Sequence, residues 1–261
     1  MTPSPAHPVL LVTGGGRGIG AATARLAAQR GYAVAINYAH QAAAAERLVA
    51  DIQALGGLAL AVQADISDET QVLRLFATVD AQLGPLRALV NNAGVVDVTA
   101  RVDSMDAARL QRMFGVNVIG SFLCAREAVR RMGTRQGERN FGPGYGQGGA
   151  IVNVSSAASR LGSPGQYVDY AASKGAIDTM TIGLAKEVAD EGIRVNAVRP
   201  GVIDTEIHAS GGLPDRVRDL AAGIPMQRGG TTEEVAQAIL WLLSPEASYT
   251  TMALVDVAGG R

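Results

Sequence analysis

The chain of 261 residues has little with which to cross-link itself or to grip a polyanion. Cys124 is its single cysteine, which excludes an internal disulfide framework and points to a reducing compartment. A lone thiol can be reactive, but nothing around Cys124 supplies an activating base. It reads as a small apolar residue in a helix. Neither charge is in excess: 23 Lys and Arg stand against 24 Asp and Glu, a formal net charge of −1. Nucleic acid and anionic membranes are therefore not expected partners. No apolar run approaches the length of a bilayer-crossing helix. The opening MTPSPAHPVLLVTGG has neither a basic start nor a long apolar core, so no signal peptide is read and the cytoplasm is the expected location. His7, His40 and His208 stand apart and form no ligand cluster, so no metal is expected.

What is present is apolar material: 48% of residues are apolar and 18% charged, enough for a sizeable core. It falls in short runs at 9–13, 33–37, 58–63, 86–91, 150–154, 194–198 and 254–257. Between them lie stretches with helical spacing, such as 42–55, 70–83, 106–132 and 170–191. Strands that are apolar throughout belong in a parallel sheet covered on both faces. The expected fold is an α/β, doubly wound, parallel seven-stranded sheet with helices on both faces, Rossmann-like, in a single domain over 1–261.

Two segments break the rhythm. Residues 133–149, rich in glycine and charge, are expected to form a surface loop. They could also link two domains, but the pattern resumes at 150–155 as part of the same series. Residues 206–226 are weakly patterned and read as a lid. A helix restarts after it, with Thr231 and Glu234 spaced for a capping box.

The first strand runs into Thr13-Gly14-Gly15-Gly16-Arg17-Gly18-Ile19-Gly20 and then a helix. Strand, glycine turn and helix start form an anion site, because free N–H groups and the helix dipole converge there. The G-x-G-x-x-G fingerprint does not fit, since Ile19 falls where its third glycine belongs. The spacing that fits is G-x-x-x-G-x-G, with Gly14, Gly18 and Gly20. The second strand ends in Asn37-Tyr38-Ala39-His40, with no carboxylate to accept from a ribose 2′-hydroxyl. Asn37 would not repel a 2′-phosphate, and Arg17 adds a positive charge nearby. NADP(H) is therefore the expected cofactor, with NAD(H) as the alternative.

Ser155 and Ser156 follow the strand at 150–154, and Tyr170-Ala171-Ala172-Ser173-Lys174 opens a later helix. Tyr170 and Lys174, four residues apart, share a helix face. An ammonium beside it, together with an oxidised nicotinamide ring, would favour the phenolate, so that Tyr170 could exchange a proton with an alcohol or carbonyl oxygen. Ser156 can bond the same oxygen. Tyr167 is the rival tyrosine, but four residues on stands Ala171, which cannot help it ionise.

With TGGGRGIG at 13–20, Asp65-Ile66, NNAG at 91–94, Asn117 in VNVIG, IVNVSS at 151–156, YAASK at 170–174 and RPG at 199–201, the chain resembles the short-chain dehydrogenase/reductase family along nearly its whole length. The resemblance implies Asn117, Ser156, Tyr170 and Lys174 as a catalytic tetrad. In it Lys174 also binds the nicotinamide ribose, and Asn117 holds a water that relays protons. It implies that Asp65 and Ile66 edge the adenine and that Asn92, Ala93 and Gly94 touch its ribose. Val202 and Thr205, after Pro200 and Gly201, would hold the carboxamide. It implies a homotetramer paired through the helices at 106–132 and 170–191. Two departures stand out: the loop 133–149 is long for the family, and Met252 stands where a glycine is usual.

The expected function is oxidoreduction of a small carbonyl or secondary alcohol. A sugar or alcohol dehydrogenase preferring NAD(H) is the alternative within the class, and a non-catalytic NADP(H)-sensing regulator the alternative outside it. A nucleotide-sugar epimerase or dehydratase shares Tyr and Lys but needs room for a second substrate domain.

Overall fold

The computed structural model describes residues 7–135 and 144–261. The strands are β1 (Val9–Val12), β2 (Ala33–Tyr38), β3 (Leu58–Gln63), β4 (Leu86–Asn91), β5 (Gly149–Val154), β6 (Ile193–Pro200) and β7 (Leu254–Val257). They form one parallel sheet in the order β3-β2-β1-β4-β5-β6-β7. Helices cover it: α1 (Gly18–Gln29), α2 (Ala42–Ala54), α3 (Glu69–Leu83), α4 (Ala107–Phe114), α5 (Ser121–Met132), α6 (Ala158–Leu161), α7 (Val168–Val188), α8 (Ile207–Ser210), α9 (Arg216–Leu220) and α10 (Thr232–Leu243).

Successive strand residues serve opposite cores, which is why apolar residues stand at consecutive strand positions. In β1, Leu10 packs with Ala24, Ile52 and Val235 on one face. Its neighbour Leu11 packs with Phe76, Cys124 and Val188 on the other. Each such leucine contributes about 1.5–3 kcal/mol by leaving water. Cys124 is fully buried, and burial pushes its thiol up to about 12, so it is an inert core residue. At α10 the capping box forms: Glu234 N–H donates to Thr231 Oγ1 at 3.2 Å, and Thr231 N–H donates to Glu234 Oε2 at 2.8 Å.

The predicted helix over 106–132 forms but is not α-helical throughout. Residues Gly115–Gly120 between α4 and α5 are π-helical, a wider turn that often marks a functional position. Of the loop 133–149, residues 136–143 lie outside the described residues. The segment 144–148 is tied back to α5, with Gly146 and Gly148 N–H donating to the Arg131 and Met132 carbonyls. Met252 has φ 64°, and its N–H donates to the Val195 carbonyl at 2.7 Å. A glycine would suit the site for backbone reasons, since a left-handed residue with a Cβ costs roughly 1–2 kcal/mol. No described helix is long and apolar enough to cross a membrane.

Candidate active site

The sheet order reverses between β1 and β4, whose C-terminal ends flank the crevice where such sheets bind ligands. A cavity of about 690 Å³ opens there. It runs from the glycine turn past the ends of β4 and β5 to α7 and the segment after β6.

The glycine turn is built for close approach. Gly18 has φ +53°, and a Cβ on Gly20 would lie 2.5 Å from Asn92 Nδ2. Asn92 locks this packing by donating to the carbonyls of Thr13 at 2.9 Å and Gly14 at 3.0 Å. No side chain caps α1, so its first N–H groups face the cavity end, where an anion can take them. Arg17 is exposed at this turn and has no carboxylate partner among the described residues.

Asn37 departs from its expected role. It lines the cavity wall, but its side chain is 2% exposed and turned into the protein. Its Nδ2 donates to the carbonyls of Ala64 at 2.9 Å and Val62 at 3.4 Å, and its Oδ1 accepts from Gly14 N–H at 3.3 Å. It splints the glycine turn to β3. Tyr38, Ala39, His40 and Gln41 line the cavity beside it, and none is a carboxylate. Asp65 and Ile66 also line it, with Asp65 Oδ1 held by Ser67 at 2.7 Å.

At the far end, β5 delivers the two serines to different tasks. Ser155 is buried, and its Oγ donates to the Lys174 carbonyl at 3.2 Å, a structural tie. Ser156 lines the cavity and hydrogen-bonds the Tyr170 hydroxyl. Lys174 is 4% exposed, its Nζ donates to the Val154 carbonyl at 2.7 Å, and it lies 5.7 Å from the Tyr170 ring centroid. Burial lowers the Lys174 ammonium to about 8, against a weaker opposing pull from Asp178. Burial likewise raises the Tyr170 phenol, opposed by the Ser156 hydrogen bond. Lys174 is thus not the group that opposes burial at the phenol; the Ser156 hydrogen bond is, and desolvation prevails over it.

Asn117 does not line the cavity. It is fully buried on the π-helical turn, where its side chain clamps Val95: Oδ1 accepts from Val95 N–H at 2.8 Å and Nδ2 donates to its carbonyl at 3.0 Å. Nδ2 also donates to Ser173 Oγ at 3.1 Å. A Cβ on Gly94 would lie 3.5 Å from both Asn117 Oδ1 and Lys174 Nζ, so these three residues bound one small space. Gly20 is also behind the cavity wall. The remaining predicted positions line it, namely Gly14, Ile19, Ala93, Pro200, Gly201, Val202 and Thr205 with those already placed.

Sequence reasoning missed the pair beside Tyr170. Arg109 of α4 and Asp169 of α7 are 7% and 4% exposed, and Nε donates to Oδ2 at 2.7 Å. Arg109 Nη1 also donates to the Val98 carbonyl at 2.7 Å, so the ion pair joins the chain after β4 to the start of α7. It also missed Gln166 and Arg216, which line the same cavity. Each sits in a segment whose local pattern is only that of a loop. Among the described residues no group of three His, Cys, Asp or Glu could hold a metal.

Lys174 gives a pH signature in the cofactor-free protein. Its value is 10.5 in an ordinary setting and about 8 here, so from pH 8 to 10.5 the unfolded chain binds more protons at this residue. Stability then rises with pH, as the buried charge is relieved. Relative to Lys174→Met, the parent is expected to gain about 3 kcal/mol over that window, read from denaturant midpoints. A constant difference between the two proteins would show that the ammonium bears no such penalty.

A long crevice with a glycine turn at one end and Ser156, Tyr170 and Lys174 at the other suits an oxidoreductase acting on CH–OH and C=O groups. The comparisons agree. Residues 14–261 match the family model described as enoyl-(acyl carrier protein) reductase. The chain is 58% identical to the uncharacterised oxidoreductase YgfF of Escherichia coli K12, over 97% of this chain and 99% of that one. A 3-ketoacyl-(acyl-carrier-protein) reductase from Brucella melitensis, solved with NADH, superposes with TM-score 0.87 at 32% identity over 99% of each chain. A blue fluorescent protein from a metagenomic library, solved with NADPH, gives 0.85 at 32% identity over 97% of each. The chain belongs to the short-chain dehydrogenase/reductase family.

Proposed function

We propose that this chain is an NADP(H)-dependent oxidoreductase that interconverts a small carbonyl compound and its secondary alcohol through Asn117, Ser156, Tyr170 and Lys174. One observation carries the reading: a single cavity joins the uncapped start of α1 to the hydrogen-bonded Ser156 and Tyr170 hydroxyls. NADP(H) would be held by Gly14, Arg17, Gly18, Ile19 and the N–H groups of α1 at its phosphates. Asp65, Ile66, Asn92, Ala93 and Gly94 would line its adenosine half, and Pro200, Gly201, Val202 and Thr205 its nicotinamide half. When bound it supplies or accepts the hydride. Ser156 and Tyr170 hold the substrate oxygen between two hydroxyls. Burial keeps the Tyr170 phenol protonated at neutral pH, so it can donate a proton to a carbonyl oxygen as alkoxide character develops. Lys174, beside the space bounded by Asn117 and Gly94, can resupply that proton.

The NADP(H) preference rests on the absence of a carboxylate from 37–41 and on Arg17 at the turn. With Asn37 turned inward, Arg17, Tyr38 and His40 carry the recognition of the 2′-phosphate. Residues 206–226 serve as the lid of a single domain. A homotetramer in the cytoplasm is the proposed assembly, supported by exposed Ile119, Phe122 and Ile182 on the helices expected to pair.

The test is nucleotide oxidation against a panel of ketones, aldehydes and sugars. NADPH is expected to give at least tenfold the catalytic efficiency of NADH. Equal or better efficiency with NADH would overturn the preference and leave the chemistry. NADPH binding with no turnover across the panel would favour the sensing regulator.

A further inference from the structure

The catalytic cavity contains a cation that hydride transfer leaves without a task. Arg216, at the start of α9, is half-buried and lines the cavity beside the start of α7. Its guanidinium lies 5.4 Å from the centroid of the Tyr167 ring. Its Nη1 donates to Gln166 Oε1 at 3.0 Å, a neutral acceptor. Tyr167 in turn donates from its hydroxyl to the Gly211 carbonyl at 3.1 Å, so stack and loop are fixed to one another.

The carboxylates near Arg216 are taken. Asp215 and Asp219 both pair with Arg218, at 3.0 and 3.3 Å. Glu206, which also lines the cavity, faces the other end, its Oε2 3.8 Å from where a Gly18 Cβ would be. A guanidinium has five N–H donors, and among the described residues only one of Arg216's has an acceptor. Arg109, Arg131 and Arg199 each have a carboxylate at 2.7–3.0 Å, and the part-buried Arg194 has the carbonyls of Leu242, Leu243, Ser244 and Thr250 instead. A half-buried cation facing a cavity and lacking a counter-ion favours an anion brought by the ligand.

We propose that Arg216 is a specificity residue that binds a carboxylate on the substrate, and that the substrates are oxo acids or hydroxy acids. The proposal rests on the oxidoreductase function proposed for the same cavity. Tyr167 precedes Tyr170 by three residues and stands at the start of α7, so Arg216, stacked on its ring, lines the same cavity at the same end of that helix as Tyr170. The lid closes on the anion, with Tyr167 and Gln166 setting the angle of the guanidinium.

The experiment compares 4-oxopentanoate and 6-oxoheptanoate with their methyl esters, which keep the carbonyl and lose the charge. In the parent, kcat/KM for an acid is expected to exceed that for its ester by about 10–100-fold, the range of a hydrogen bond to a charged group. Arg216→Gln is expected to remove the difference through KM of the acid, with the ester within about threefold of the parent value. Arg216→Lys is expected to keep part of the preference, which separates charge from folding. Equal treatment of acid and ester by the parent overturns the proposal and leaves the oxidoreductase reading standing. So does an equal loss on both in Arg216→Gln, since that is the behaviour of a lid latch. Failure of the parent to reduce any acid, ester or neutral ketone overturns the reading and the proposal together.

Discussion

Tyr170→Phe is expected to lower kcat/KM by about 10²–10⁴-fold for every accepted carbonyl, the usual worth of a positioned proton donor. Phenylalanine keeps the ring, so the packing of α7 stays. The lost hydroxyl bonds Ser156, and Ser156 keeps a second tie, the Ala158 N–H donating to its Oγ at 3.1 Å. Unfolding free energy is therefore expected to change by only about 1 kcal/mol. Dissociation of NADPH, followed by fluorescence, should stay within a few-fold of the parent. Steady-state kinetics on the best substrate, with a denaturant midpoint as control, checks both halves. Unchanged turnover would remove Tyr170 from the mechanism.

Asp169→Asn is expected to cost about 3–5 kcal/mol of stability, because it strands the Arg109 guanidinium at 7% exposure with a neutral partner. An exposed pair makes the comparison. Arg112 bonds Asp97 at the same 2.7 Å, but its side chain is 62% exposed. Arg112→Ala is expected to cost less than about 1 kcal/mol. The penalty at Asp169 belongs to the uncompensated charge and not to the missing bond. The double variant Arg109→Met with Asp169→Leu is therefore expected to be more stable than Asp169→Asn. Urea titrations of the three variants decide this. A loss at Asp169 as small as that at Arg112 would show that α7 starts correctly without the pair. The ion pair adjoins Tyr170 in sequence, so kcat is expected to fall in Asp169→Asn even well below its melting point.

Local chemistry could be read in the chain; long-range chemistry could not. The seven strands and the glycine turn are runs of a few residues whose composition alone demands a parallel sheet and an anion-binding helix start. Tyr170 and Lys174 lie one turn apart on a single helix. Arg109 and Asp169 are 60 residues apart, and only the packing of α4 on α7 brings them together. The spacing of apolar residues over 106–132 gives a helix but is silent on the π-helical turn that turns Asn117 toward Val95. Asn37 sits at the expected strand end, but the carbonyls of Val62 in β3 and of Ala64 just after it draw its amide inward. The balance between Tyr170 and Lys174 depends on desolvation, which no spacing encodes.

That inward amide bears on redesign of nucleotide choice. An acidic residue at position 37 would not reach a ribose. It would bring an anion up to two carbonyl oxygens and lose both donor hydrogens, so the splint that runs from Gly14 would be cut at its β3 end. The nucleotide switch and the rigidity of the turn are joined at that one side chain. A protein engineer is better served by Tyr38, Ala39 and His40, which face the cavity and carry none of that duty.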